Sequence, residues 1–197
     1  HQPDLSINSA IKADISIVDL NDKKINTVVA NPSSDFFEDW SPDSKELVYS
    51  TNLADTTSNF YTNPKVYVLN IASKATRQIA KDLDESVGGL EWEPTGIYTS
   101  VWNKTKRPLY KIDPKTGSHS VVPNLPEQVF GLSFNKAADK MVFIGRNGNQ
   151  LNEAFLNAAG KTTQLTDMTS QISTWKVAQS EVISWKSKDG AVIEGIL

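Results

Sequence analysis

The hydrophobic and polar positions of this chain repeat a short β-hairpin pattern four times. In each copy, a strand of alternating apolar residues ends at an Asp or Asn, and a polar turn leads into a second strand. The four copies are 15–20 with 25–28, 66–71 with 76–79, 109–114 with 120–122, and 153–158 with 162–165. Their Asx positions, 19, 70, 113 and 157, are 51, 43 and 44 residues apart. Periods of about 40 to 50 residues built from short strands are typical of β-propeller blades.

A second repeated pattern lies between these hairpins and supplies two more strands to each period. It consists of a strand, a tight turn and another strand, and Pro42 presets φ in the first of these turns. The copies span 36–49, 87–100 and 129–144, and their aromatic anchors are Trp40, Trp92 and Phe134. These anchors are 52 and 42 residues apart, in phase with the hairpins, so each period predicts four strands.

Together the two patterns predict an all-β fold, a partial β-propeller of about three and a half four-stranded blades. The predicted propeller segment covers 1–166, with a half blade at 14–29 and blades at about 36–80, 87–123 and 129–166. A propeller protects its strand edges by closing its circle of blades, and open blade faces invite aggregation. We therefore expect this chain to be a piece of a larger protein whose missing blades precede His1.

Composition excludes several classes of partner and chemistry. The 197 residues are 39% hydrophobic and 22% charged, with a net charge of -3 and both signs interspersed, so we expect no nucleic-acid partner. The chain has no cysteine, which removes disulfides and thiolate chemistry, and no apolar run reaches the roughly 18 residues of a membrane span. We expect no cofactor and no metal site.

The tail departs from the repeat. A polar connector at 167–180 is followed at 181–197 by two alternating strands around Asp189-Gly190, a strong hairpin signal. This predicted hairpin reads as the opening of another domain.

Residues 181–197 closely resemble the junction between propeller and hydrolase in the prolyl oligopeptidase family, in its acylaminoacyl-peptidase and dipeptidyl-aminopeptidase branch. The Trp-Ser-Pro-Asp-Ser-Lys segment at 40–45 is similar to the TolB-type propeller repeat of the same branch. The resemblance covers about 14–197 and implies the C-terminal part of the propeller followed by the first hairpin of an absent α/β-hydrolase domain. It also implies peptide substrates, bound through the parent enzyme, and a periplasmic or secreted bacterial setting.

The resemblance implies no catalytic residue in this chain. The family's nucleophile sits in Gly-x-Ser-x-Gly, followed by an Asp and a His, and this signature is absent from 1–197. The two histidines are His1 and His119, and His119 is expected in a surface turn. The triad would lie beyond Leu197, so the chain alone should be inactive, and no substrate-binding residue is identified.

Other candidate residues have structural interpretations. Glu38-Asp39 resembles an acid pair that could bind a substrate amino group, but adjacent strand residues point to opposite faces, so we expect a structural role. The remaining candidates are assigned to turns, to blade core or to loop packing. Turns explain the acids Asp19, Asp22, Asp43 and Asp113, the segment 145–148 and the sequon at Asn103, and Arg146 of that segment is a candidate to face a central channel. The five tryptophans are expected to be mostly blade core, and Phe60-Tyr61 to pack the loop 52–63.

Two alternatives from other functional classes stay open at this stage. The repeat is equally compatible with a TolB-type propeller that binds a protein or glycan partner. A propeller enzyme such as a lactonase would need metal ligands at the channel mouth, and no convergent His or carboxylate cluster is visible.

Overall fold

A computed structural model describes residues 13–53 and 62–197, and the strands in these ranges pair antiparallel wherever their register is defined. The first pair is the hairpin of β1 (Ile15–Val18) and β2 (Ile25–Val29). It corresponds to the half blade expected from the sequence.

Three four-stranded sheets follow in chain order. The first sheet contains β3 (Asp35–Trp40), β4 (Glu46–Thr51), β5 (Lys65–Asn70) and β6 (Thr76–Ile79). The second contains β7 (Glu91–Glu93), β8 (Gly96–Ser100), β9 (Leu109–Ile112) and β10 (His119–Val121). The third contains β11 (Gln128–Phe134), β12 (Lys140–Arg146), β13 (Glu153–Ala158) and β14 (Lys161–Gln164). Within each sheet, every strand neighbours the next one in the sequence, which is the up-and-down order of a propeller blade.

A short 3-10 helix (Thr169–Ile172) and a second two-stranded sheet complete the described chain. This last hairpin consists of β15 (Val182–Lys186) and β16 (Val192–Ile196). The predicted fold class is therefore confirmed: three four-stranded blades, a half blade and a terminal hairpin. The domain boundaries at 166 and 181 stay predictions.

The chain divides into two compact units, His1–Thr99 with Ile112–His119, and Ser100–Lys111 with Ser120–Leu197. In the first unit, the central strand β4 is buried along most of its length, and Leu47, Tyr49 and Leu69 pack against Ile15 of the first hairpin. In the second unit, the rings of Phe143 and Phe155 stack with their centroids 5.3 Å apart. Pairs of this kind add stability beyond their buried area.

Three of the four repeated Asx residues stabilise their own hairpin turns. Asp19 accepts a hydrogen bond from the backbone N–H of Asn21 at 2.8 Å, and Asp113 accepts one from Thr116 at 2.8 Å. Asn70 does the same for the N–H of Ser73 at 3.0 Å. An Asx side chain that satisfies the backbone two or three residues later stabilises a turn. The repeat visible in the sequence is thus a repeat of turn chemistry in these three copies, whereas Asn157 of the fourth copy donates its side-chain amide to the hydroxyl of Thr162 at 2.9 Å.

The burial of the five tryptophans differs from the expectation. Trp92 is buried, with 8% of its surface exposed, and Trp40 is partly buried. Trp102, Trp175 and Trp185 are 50%, 69% and 48% exposed. The prediction that the five tryptophans are mostly blade core was therefore wrong, because only the two in phase with the repeat occupy core positions.

Candidate functional site

The acid pair Glu38-Asp39 lies on one side of its strand rather than on two. The register of β3 against β4 shifts between Phe37 and Asp39, so Glu38 is the extra residue of a β-bulge. A bulge breaks the strict alternation of a strand and re-aims the side chains around it. The expectation that these two carboxylates point to opposite faces was wrong for this reason.

Both carboxylates bind the backbone of the segment that leads into β7. Glu38 Oε2 accepts hydrogen bonds from the N–H groups of Gly89 at 2.8 Å and Leu90 at 3.3 Å. Asp39 Oδ2 accepts one from the N–H of Trp92 at 2.7 Å. The pair therefore joins β3 to the segment before β7 within the first unit. Glu38 Oε1 also accepts from the hydroxyl of Ser50 at 2.7 Å, and Asp39 Oδ1 from the N–H of Trp40 at 2.8 Å, so the four oxygens bind groups of this chain rather than a substrate ammonium group.

We expect the Asp39→Ala variant to be destabilised by about 1 to 3 kcal/mol, because it leaves the N–H of the buried Trp92 without its acceptor. Urea unfolding followed by circular dichroism measures the loss. The matched control is Asp82→Ala, since Asp82 is an exposed acid of the same unit. Equal unfolding midpoints for the two variants would contradict the structural role.

The turn acids bind backbone groups and lysines. Asp22 pairs with Lys24 at 2.9 Å and Asp43 with Lys45 at 3.4 Å. Hydrogen bonds from the N–H groups of Thr116 and Lys115 lower the pKa of Asp113. In the described ranges, no three His, Cys, Asp or Glu side chains come together in a way that could hold a metal ion.

A groove of about 440 Å³ lies in the first unit among the turns at 41–43, 93–96 and 113–115. Arg77 occupies it and donates to both carboxylate oxygens of Glu46, at 2.7 and 2.8 Å, and to the carbonyl of Pro114 at 3.0 Å. The hydrogen bond from Arg77 lowers the pKa of Glu46. A bidentate pair of this geometry fixes both side chains, so the groove contains a structural ion pair.

A second groove, of about 540 Å³, lies beside β1. Phe36 and Phe37 line it and are about half exposed, and Asp35 lies at its edge. Burial raises the pKa of Asp35, and its Oδ2 has no hydrogen-bond partner among the described residues.

The remaining predicted candidates fall in several places. His119 is partly buried at the start of β10, so the expectation of a surface turn was wrong. Asn103, the sequon residue, lies in a tight turn bridged to Lys106, and its amide donates to the hydroxyl of Tyr110 at 3.0 Å. The turn at 145–148 begins inside β12, and Gly148 has a φ of +38°. Phe60 and Tyr61 lie outside the described residues.

In the second unit, Arg146 belongs to a cluster of aromatic rings and guanidinium groups. The sequence alone did not predict this cluster. We call Trp102, Arg107, Phe130 and Arg146 the arginine–aromatic cluster. The guanidinium carbons of Arg107 and Arg146 lie 4.8 and 5.9 Å from the centroid of the Phe130 ring. The ring of Trp102 meets the same phenylalanine edge-on, with centroids 6.5 Å apart.

Each arginine of the cluster is oriented by a neutral acceptor. Arg107 donates through Nε and Nη2 to the carbonyl of Ser100 at 3.3 and 3.2 Å. Arg146 donates through Nε to Oε1 of Gln128 at 2.8 Å. Neither guanidinium forms an ion pair with a carboxylate in the described part of the chain. The cluster therefore combines two positive charges with a half-exposed indole.

A buried carboxylate fixes the start of the connector that follows β14. Glu153 is 1% exposed and accepts hydrogen bonds from the hydroxyl of Thr166 and the N–H of Met168 through Oε2, and from the N–H and hydroxyl of Thr169 through Oε1. Burial alone raises the pKa of a carboxyl group, but these four donors outweigh it and lower the pKa of Glu153 to about 2.

Two further contacts fix the end of the connector and the terminal hairpin within the second unit. Asn149 donates to the carbonyl of Ala178 and accepts from the hydroxyl of Ser180, both at 2.7 Å. Lys104 forms an ion pair with Glu194 at 2.7 Å. Large apolar side chains of the hairpin nevertheless stay exposed, among them Val182, Trp185, Val192 and Ile196.

These features define an all-β chain of propeller blades, and comparison with solved structures supports that fold. The acylaminoacyl peptidase of Pyrococcus horikoshii matches 100% of this chain and 29% of its own, with 16% identity and a TM-score of 0.74. TolB from Acinetobacter baumannii matches 93% of this chain and 45% of its own, with 12% identity and a TM-score of 0.56. The β-propeller domain of the trilobed protease from Pyrococcus furiosus matches 83% and 46%, with 18% identity and a TM-score of 0.59.

These similarities establish the fold and the kinds of protein that share it, acylaminoacyl peptidases and TolB-like propellers. The chain spans less than half the length of each of these three structures. No protein-family model matches the chain, and no curated protein does. Among the residues that the structure describes, no helix has the length and hydrophobicity that a membrane span requires.

Proposed function

We propose that this chain is the non-catalytic propeller portion of a serine peptidase and that it gates and selects peptides for an α/β-hydrolase active site. The observation that carries the proposal is the similarity to the Pyrococcus horikoshii acylaminoacyl peptidase over the full chain, which includes the connector and the hairpin β15–β16. The similarity to TolB has the lower TM-score, 0.56 against 0.74. In this proposal, 1–166 is propeller, 167–180 is linker and 181–197 opens the hydrolase domain.

The contribution of this chain to the reaction would be steric. Peptide hydrolysis by a serine requires a nucleophile, a base and an oxyanion hole, which the proposal places in the hydrolase domain. A propeller in front of that site would admit short or unfolded peptides and exclude folded proteins. Within the first unit, the contacts of Glu38, Asp39 and Arg77 with later segments of the chain would stabilise such a barrier.

The connector and hairpin would fix the hydrolase domain relative to the last blade. Glu153 and Asn149 tie the two ends of the connector to the blade that it leaves. The exposed apolar side chains of β15 and β16 would then be covered by the remainder of the hydrolase domain, since contiguous exposed apolar surface marks a contact with another body.

The first test reads the encoding gene beyond the codon for Leu197. We expect a Gly-x-Ser-x-Gly sequence followed by an Asp and a His within a few hundred codons, and we expect a fluorophosphonate probe to label the full-length product. The 197-residue chain alone should neither be labelled nor hydrolyse peptides. A stop codon directly after Leu197, or turnover by the short chain, would contradict the proposal.

A binding propeller of the TolB type is the second candidate, because TolB from Acinetobacter baumannii shares the fold over 93% of this chain. Such a protein would recognise a protein or ligand partner without a hydrolase domain. The gene test separates the two candidates: only the peptidase portion requires a downstream serine hydrolase sequence.

A further inference from the structure

We propose that the arginine–aromatic cluster is a binding site for a carboxylate group carried beside an apolar or aromatic group, such as the end of a peptide. The site is independent of the proposed peptidase role, so either can fail while the other stands. It lies entirely in the second unit, on the segment 100–111 and on strands β11 and β12.

Two lysines close to Arg107 in the sequence have acidic partners, whereas the two arginines of the cluster have neutral ones. Lys104 is paired with Glu194 at 2.7 Å, and Lys106 with Glu127 at 2.8 Å. Arg107 and Arg146, by contrast, are oriented by a carbonyl and an amide, which carry no charge. The two neighbouring lysines are therefore neutralised by acids of this chain, whereas the two guanidinium groups keep their full positive charge.

Placing two partly buried cations against one ring is unfavourable unless something compensates their repulsion and desolvation. The face of Phe130 supplies part of the compensation, because an aromatic ring attracts a cation placed over it. A bound anion would supply the rest. Guanidinium groups bind carboxylates in planar, bidentate geometry, and each arginine is held in place by its neutral acceptor before the ligand arrives.

The indole of Trp102 determines the second half of the ligand. Its ring contacts Phe130 and is 50% exposed, although a large aromatic side chain is normally covered. It therefore offers an apolar surface next to the two cations. A carboxylate next to an apolar side chain would satisfy both parts of the cluster, whereas a bare inorganic anion would satisfy only the cations.

Trp102 is also the reporter for the test. In a chain labelled with ¹⁵N-tryptophan, the Trp102→Phe variant assigns one of the five indole N–H resonances. The probe is acetyl-glycyl-phenylalanine with a free carboxylate, and its C-terminal amide is the matched neutral ligand. Acetyl-glutamyl-phenylalanine amide carries a carboxylate only on its glutamate side chain. It therefore tests whether an acidic side chain can replace the carboxylate of a chain end.

We expect the free acid to shift the Trp102 resonance in a saturable way and the neutral amide to leave it unchanged. A shift with the glutamyl amide would assign the site to acidic side chains as well as chain ends. Arg146→Gln should weaken binding about tenfold or more, the loss expected for a hydrogen bond to a charged group. Lys161→Gln, which removes an exposed charge from the same sheet, should bind like the original protein.

Unchanged resonances of the other four indoles would show that the Arg146→Gln variant is folded. The proposal is overturned if the free acid does not shift Trp102 in the original protein, if the neutral amide shifts it equally, or if the Arg146→Gln and Lys161→Gln variants bind alike.

Discussion

Replacing Trp92 by alanine should lower the free energy of unfolding by about 3 to 5 kcal/mol, the usual cost of deleting a large buried aromatic side chain. Trp92 is 8% exposed and is the middle residue of the short strand β7, next to the buried strand β8. Its removal would leave a cavity that the surrounding strands can close only in part.

The matched control is Trp175→Ala, which deletes the same side chain from a site that is 69% exposed. We expect this change to stay within about 0.5 kcal/mol, as exposed substitutions usually do. Urea unfolding at neutral pH, followed by circular dichroism, measures both variants. If the Trp92→Ala and Trp175→Ala proteins unfold at the same urea concentration, Trp92 is not a core residue.

The blades could be predicted from the sequence because their signals are local. Alternating apolar residues specify a half-buried strand, and an Asx residue specifies the turn that follows it. The contacts of Asp19, Asn70 and Asp113 with their own turns show why these positions recur. A strand or turn pattern that spans a few residues does not depend on which other strands pack against that segment.

The direction of the carboxylates of Glu38 and Asp39 could not be predicted, because a bulge depends on how β3 pairs with β4. One extra residue in a strand changes the alternation that sequence reasoning assumes. The exposure of Trp102, Trp175 and Trp185 did have a signal, since none of the three is in phase with the aromatic anchors of the repeat.

The arginine–aromatic cluster could not be predicted for another reason. Arg107, Phe130 and Arg146 are far apart in the sequence, and no motif relates them. They meet because Arg107 exchanges backbone hydrogen bonds with the start of β11, through Glu127 and Val129, while β11 pairs with β12. Such a site follows from strand pairing, which places residues together only once the sheet has formed.

Glu153 was also missed, since a single glutamate at the start of a predicted strand is ordinarily exposed. Its burial requires the four donors of Thr166, Met168 and Thr169. The pKa of Glu153, about 2 against an ordinary value of 4.5, means that protonation is harder in the folded chain than in the unfolded one. The unfolded chain therefore binds more protons as the solution becomes acidic, and it is favoured over the folded chain.

We therefore expect Glu153 to contribute stability that is complete above about pH 4.5 and is lost as the pH falls toward 2. Urea unfolding at several pH values between 7 and 2.5 should show a large difference between the original protein and Glu153→Gln at neutral pH. The difference should shrink on acidification, because the glutamine does not titrate. Glu181→Gln, which changes an exposed glutamate of the same unit, should follow the original protein at every pH. A difference for Glu153→Gln that stays constant with pH would mean that the carboxylate charge does not hold the connector in place.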